Sequence, residues 1–84
     1  MTNKEILKKQ IIYRSSHRGS KEMDILLSSF VKSHINILND DELKELSELL
    51  FLDDEVIHKW YFYKIESKRI VKNKVTKLFR NFKL

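Results

Sequence analysis

Cysteine is absent from the chain, and with it go disulfide cross-links, thiolate metal sites and a cysteine nucleophile. Proline is absent too, and glycine occurs once, at Gly19. A backbone this poor in helix breakers favours helices joined by short loops. No Gly-rich loop exists to cradle a phosphate or pyrophosphate, which removes the P-loop and dinucleotide fingerprints and leaves any nucleotide to a partner. The longest apolar stretch, Leu49-Leu50-Phe51-Leu52, is far short of the roughly 20 residues that span a bilayer, so no membrane insertion is expected. His17, His34 and His58 stand 17 and 24 residues apart, unlike the i, i+4 spacing of a helical metal site, and no metal is expected. No Ser-His-Asp order or carboxylate pair stands out, and a small bundle has little room for a water-excluding pocket, so the chain reads as a non-enzyme with no catalytic residues. Met1 to Tyr13 lacks the apolar region of a secretory signal, and a helical pattern that begins almost at once leaves a removable mitochondrial presequence hard to fit.

What is present is charge, unevenly placed. The 84 residues carry a net charge of +5. By zone the net charge is +4 over residues 1–38, −7 over 39–58 and +8 over 59–84. Such zoning bears on partners and association more than on fold. The length fits one domain, residues 1–84, with about 3–5 kcal/mol of net stability from its core.

Hydrophobic spacing predicts an all-α, five-helix bundle. The first helix spans about Asn3 to Ser16, with Ile6, Leu7, Gln10, Ile11 and Arg14 on its inner stripe. The second begins near Ser20 and carries Met23, Leu26, Leu27, Phe30, Val31, His34 and Ile37 at i, i+3, i+4, i+7 spacing, the most amphipathic run of the chain. His34 reads as a core-margin histidine bonded to a backbone carbonyl. Asn39-Asp40-Asp41-Glu42 is a helix start with the makings of a capping box, followed by inward Leu43, Leu46, Leu49 and Leu50. Asp53-Asp54-Glu55 repeats the start signal for a short fourth helix with Ile57, Trp60 and Tyr61 on its apolar face. Trp60-Tyr61-Phe62-Tyr63 cannot all share one face, so at least one ring is expected in solvent. The last helix is placed at about Glu66 to Asn81, with Val71, Val75, Leu78 and Phe82 inward. Lys64-Ile65-Glu66-Ser67 offers no strong breaker to fix its start.

The lone glycine falls between the first two helices, in His17-Arg18-Gly19-Ser20-Lys21-Glu22-Met23-Asp24. Glycine there predicts a tight turn of positive φ. Arg18 closes the first helix, and Glu22 sits in the first turn of the second, where the helix N-terminus favours a carboxylate. Two opposite charges flanking a corner can dock a partner. They can also brace the turn as an internal i, i+4 pair. Composition and periodicity alone leave two functions open: a protein-docking module centred on residues 17–24, or a nucleic-acid binder using the C-terminal lysines.

Arg18-Gly19-Ser20-Lys21-Glu22-Met23-Asp24 resembles the RGxxE motif, often extended as RGxxELD, of the SdhE/YgfY flavinators, also called succinate dehydrogenase assembly factors. The similarity continues through Phe30, Asp40-Asp41-Glu42, Leu49-Leu50, Asp53-Asp54 and Trp60, covering about residues 8–62. His17 stands where members often have a basic residue, and Glu55 where they often have proline. The resemblance implies a five-helix protein, monomeric and cytoplasmic in bacteria. It implies a partner, the flavoprotein subunit of succinate dehydrogenase and in some cases of fumarate reductase, in which covalent attachment of FAD to a histidine is promoted. FAD would belong to that partner, with none held by this chain. By position, Arg18, Gly19 and Glu22 would be contact residues, with His17, Lys21 and Asp24 beside them. Arg18 would pair with partner carboxylates or carbonyls, Glu22 would accept hydrogen bonds, and Gly19 would permit close backbone approach.

Overall fold

Asn39 and Glu42 show how local chemistry sets the helix boundaries. The Asn39 side chain accepts from the Glu42 amide at 2.8 Å, and the Glu42 carboxylate accepts from the Asn39 amide at 2.9 Å, so the expected capping box is formed both ways. In the computed structural model, which describes residues 2–84, the five helices are α1 (Asn3–Ser16), α2 (Lys21–His34), α3 (Asp40–Leu50), α4 (Asp54–Phe62) and α5 (Lys74–Asn81). There is no strand among the described residues. The all-α, five-helix expectation is borne out.

α2 is the spine. Its Ser20 cap accepts from the Met23 amide, and Met23, Leu26, Leu27, Phe30 and Val31 are all buried, as the spacing predicts. Phe30 meets Phe79 edge-on at 5.2 Å and Phe82 at 5.3 Å, which ties the last helix to the second. His34 Nδ1 lies 2.9 Å from the Phe30 carbonyl, the marginal position expected for it. Ile37 departs from expectation and is exposed. The helix ends at His34, and the following turn sends Ile35 and Leu38 inward instead. α3 supplies Leu43, Leu46, Leu49 and Leu50 to the same core, and α4 supplies Ile57 and Trp60. α1 packs on α2 and α3, and α3 packs on α5.

Two further expectations are corrected. α1 has the predicted bounds but not the predicted stripe: Ile11 and Ser15 are buried, whereas Ile6 is exposed and Arg14 lies over the Phe51 ring, 3.7 Å from its centroid. The last helix is half the expected length. Lys64 adopts φ of 58°, the left-handed region, and the Tyr63 and Ile65 amides both turn back to the Lys59 carbonyl, so α4 stops without glycine or proline. α5 then starts only at Lys74. Asn73 and Thr76 form a second reciprocal capping box, and the Thr76 hydroxyl also donates to the Val71 carbonyl. That stop leaves Val71 exposed, and the inward set becomes Ile70, Val75, Thr76 and Phe79. Phe62 and Tyr63 are the exposed rings of the aromatic run.

Candidate functional site

After Ser16 the chain leaves α1 and turns through His17 to Ser20 before α2 begins. Arg18 points into the protein from that turn. Its Nε donates to Asp54 Oδ1 at 2.7 Å, its Nη1 to the Leu50 carbonyl at 2.8 Å and its Nη2 to the Leu52 carbonyl at 2.9 Å. Only 9 % of the side chain is exposed. Leu50 ends α3, so the guanidinium satisfies carbonyls at and just beyond the negative end of that helix. Asp54 begins α4, where a carboxylate suits the positive end of the helix dipole. Its second oxygen accepts from the Gly19 amide at 2.8 Å. The motif Arg-Gly is therefore clamped through one aspartate to the α3–α4 junction.

Three sequence expectations change here. Arg18, expected to pair with an outside carboxylate, is turned inward: three of its N–H groups hold Asp54 and two carbonyls, and 9 % of its side chain is exposed. The internal Arg18–Glu22 brace does not form; the Glu22 carboxylate instead lies 3.7 Å from His58 Nε2. Gly19 is not in the left-handed region. What glycine supplies is proximity: a Cβ at this position would stand 3.3 Å from Asp54 Oδ2, tight against a carboxylate that two hydrogen bonds, one to each oxygen, hold in place.

The other candidate residues separate into an edge and a flank. Gly19, Ser20, Lys21 and Glu22 are exposed, and 60 % of the Glu22 side chain faces solvent. Asp24 is half-buried. His17 folds back on α1: its ring stacks on Tyr13 at 3.9 Å, and its Nδ1 lies 2.7 Å from the Tyr13 carbonyl. Beside the edge runs a shallow groove of about 350 Å³ bounded by Glu22, Met23, Asp54, His58 and Tyr63. The His58 ring packs on Phe62 at 4.7 Å and Tyr63 at 5.5 Å. Glu55 on the same rim is held below the usual carboxylate range by its hydrogen bond with the Lys59 ammonium, 2.9 Å away.

Asp54 and His58 are the residues that sequence reasoning did not place in the site. Asp54 was legible as part of a helix-start cluster and of the Asp53-Asp54 pair in the resemblance, but the acceptor for Arg18 could not be chosen across 36 residues. The arrangement offers a fixed corner with the exposed carboxylates of Glu22 and Glu55, an accessible backbone at Gly19 and an aromatic rim. It is built for contact.

Residues 9–83 match the family described as Sdh5, flavinator of succinate dehydrogenase. The chain belongs to this family. The resemblance carried by Arg18 to Asp24 is thereby borne out. Among curated relatives, "Succinate dehydrogenase assembly factor 2, mitochondrial" of Meyerozyma guilliermondii is 40 % identical over 57 residues, covering 68 % of this chain and 42 % of the relative. The protein of that name in Dictyostelium discoideum is 34 % identical over 77 residues, covering 92 % of this chain and 55 % of the relative. "FAD assembly factor SdhE" of Acetobacter pasteurianus is 29 % identical over 55 residues, covering 66 % and 50 %. The chain spans about half the length of these relatives. No solved structure matches it. The bacterial cytoplasmic location expected from the sequence is overturned: the relatives from yeasts, Dictyostelium and Arabidopsis are mitochondrial assembly factors by name.

Proposed function

We propose that this protein binds the flavoprotein subunit of succinate dehydrogenase and promotes covalent attachment of FAD to a histidine of that subunit, without catalytic groups of its own. The observation that carries this reading is an exposed Gly19-to-Glu22 edge, held rigid from behind by the Arg18–Asp54 clamp, in a chain of the flavinator family.

Flavin attachment of this kind is completed by the flavoprotein itself once FAD and its histidine are aligned, so a helper need only bind the aligned domain arrangement better than others. Preferential binding of about 2–3 kcal/mol shifts such an equilibrium roughly 30- to 150-fold, within ordinary coupling energies. A rigid corner does this better than a mobile one, because little ordering entropy is lost on contact. In this reading Glu22 accepts hydrogen bonds from the partner and Gly19 admits its backbone. Lys21, Asp24 and His17 flank the contact, and Arg18 acts from inside by fixing the turn. FAD stays with the partner, and the helper works as a monomer.

The test is co-expression with the flavoprotein subunit, read as covalent flavin fluorescence on a denaturing gel together with co-purification. Flavinylation that rises with the protein present and falls in Glu22→Ala supports the reading. Equal flavinylation with and without the protein, under limiting FAD, overturns it.

A further inference from the structure

The +8 zone has a concave face that the docking corner does not use. A groove of about 540 Å³ lies over Trp60, lined by Lys72, Asn73, Lys74, Thr76, Lys77 and Arg80. Its volume falls within the range of clefts that hold ligands. The floor is apolar and firm: Trp60 is 5 % exposed, stacks on Phe79 at 6.2 Å and carries the Arg80 guanidinium 4.9 Å above its ring.

The cations around it already handle carboxylates. Lys74 Nζ lies 2.8 Å from Glu42 Oε2, and Arg80 Nη1 donates to Glu66 Oε1 at 2.8 Å. These two intramolecular pairs hold the rim in place. Lys72 and Lys77 have no ion pair or side-chain hydrogen bond among the described residues. Four cations therefore face Glu42, Glu45 and Glu66, with Glu45 acting on Lys74 and Glu66 near Lys72, and the remaining positive charge sits on the exposed Lys72 and Lys77 of a concave surface.

We infer that this groove binds an acidic, extended peptide segment of a partner protein, with carboxylates on Lys72 and Lys77 and an apolar side chain laid against the floor near Trp60 and Arg80. A nucleic acid fits less well. Single strands bind through exposed aromatic faces on which bases stack, and the one aromatic here is covered. An eight-residue helix is also only about 12 Å long, which gives a phosphate backbone little to track. A second copy of the chain is a poorer occupant than a separate partner. In its acidic zone Asp40 is paired with Lys4, Asp54 with Arg18 and Glu55 with Lys59.

The inference is independent of the flavoprotein reading and is tested without that subunit. The isotope-labelled full chain is titrated at physiological salt with a short glutamate-rich peptide containing one leucine, and amide shifts are mapped. A single-stranded oligonucleotide is titrated in parallel. The expected result is saturable binding with shifts concentrated at residues 60 and 70–80, weakened at least about tenfold in Lys72→Glu/Lys77→Glu. The neutral Lys72→Gln/Lys77→Gln double variant keeps the melting temperature and is expected to lose affinity to a lesser degree. Shifts spread over all lysine-bearing surfaces, equal affinity in the charge-reversed variant, or tighter binding of the oligonucleotide through the same residues would each overturn the proposal. So would concentration-dependent self-association abolished by the double variant, which assigns the groove to a second copy.

Discussion

Arg18 and Asp54, 36 residues apart, meet through a hydrogen bond of 2.7 Å, and the same aspartate takes the Gly19 amide at 2.8 Å. One carboxylate thus binds a motif arginine and a motif glycine together. The consequence is a division of labour within Arg18-Gly19-Ser20-Lys21-Glu22: the first residue holds the corner from inside, and the last stands outside it. Mutational effects should divide the same way, into loss of fold and loss of contact.

Removing Arg18 tests the inner half. Arg18→Ala leaves the Leu50 and Leu52 carbonyls and the Asp54 carboxylate without their donor. The cost is about 2–3 kcal/mol for hydrogen bonds to a charged group in a partly buried site. For a domain of this size that lowers the melting temperature by roughly 10–20 °C. Arg18→Lys recovers only part, since an ammonium cannot span three acceptors in a fork. A thermal scan by circular dichroism gives the answer. A melting temperature unchanged in Arg18→Ala refutes the clamp.

Glu22 tests the outer half. Its side chain is 60 % exposed, and its ion-pair neighbour among the described residues, His58, is 3.7 Å away. Glu22→Ala and Glu22→Gln should therefore stay within about 0.5 kcal/mol of the parent stability. Glu22→Ala should reduce flavinylation of the co-expressed flavoprotein, and Glu22→Gln, which keeps one acceptor oxygen but loses the charge, should reduce it less. If Glu22→Ala unfolds the protein or leaves flavinylation intact, Glu22 is not the contact proposed.

Much of this was readable in advance, and the failures have a common cause. Helix starts at Ser20 and Asn39 were legible because caps are local, decided within three or four residues, and that of α4 because acidic residues gather in its first turn. The core faces of α2 and α3 were legible because periodicity reports burial wherever a helix is covered along its length. α1 is covered over a narrow strip, so its apolar residues fall on both sides and its spacing misleads. The Arg18 acceptors lie at the α3–α4 junction, more than 30 residues away, and nothing local selects them. The Asn73–Thr76 box that starts α5 lies inside the helical spacing of Val71 and Val75, which places the expected start near Glu66.

Acid should weaken the α3–α5 contact. Glu42 is held below its ordinary value of 4.5, chiefly by the hydrogen bond from Lys74 and then by the Asn39 amide. A depressed folded-state pKa stabilises the fold above the unfolded value, and that contribution is lost as pH falls through the folded one. Lys74 is raised by the same pair, so its share persists below the ordinary lysine value and is lost as pH rises through the raised one. Glu42→Gln keeps an acceptor for the cap but removes the charge. Its melting temperature should fall less steeply than the parent's once the pH drops below about 4.5; parallel curves there would show that Glu42 does not titrate with folding.

The last prediction sets Gly19 against Lys64, because glycine stands where no left-handed backbone is needed and lysine where one is. At Lys64 φ is 58°, and a side chain there costs roughly 1 kcal/mol relative to glycine. Lys64 is also exposed, and the contact that truncation removes is its ammonium 5.5 Å from the Tyr61 ring centroid, near the outer limit of a cation–π interaction. Lys64→Gly should therefore stabilise the protein by about 0.5–1 kcal/mol, a rise of a few degrees in melting temperature, with flavinylation unchanged. Gly19→Ala carries no left-handed penalty, but its Cβ meets Asp54 Oδ2 at 3.3 Å, and that oxygen cannot retreat without stretching the bonds to Arg18 and Gly19. A modest loss of stability is expected, with flavinylation partly kept. Gly19→Leu should remain folded, since its side chain can point to solvent, yet hold the partner surface away and abolish the complex. Melting temperatures and flavoprotein co-purification for the three variants separate these effects: a Gly19→Leu protein that binds normally removes Gly19 from the contact surface, and a destabilised Lys64→Gly protein removes the left-handed stop from the account of how α4 ends.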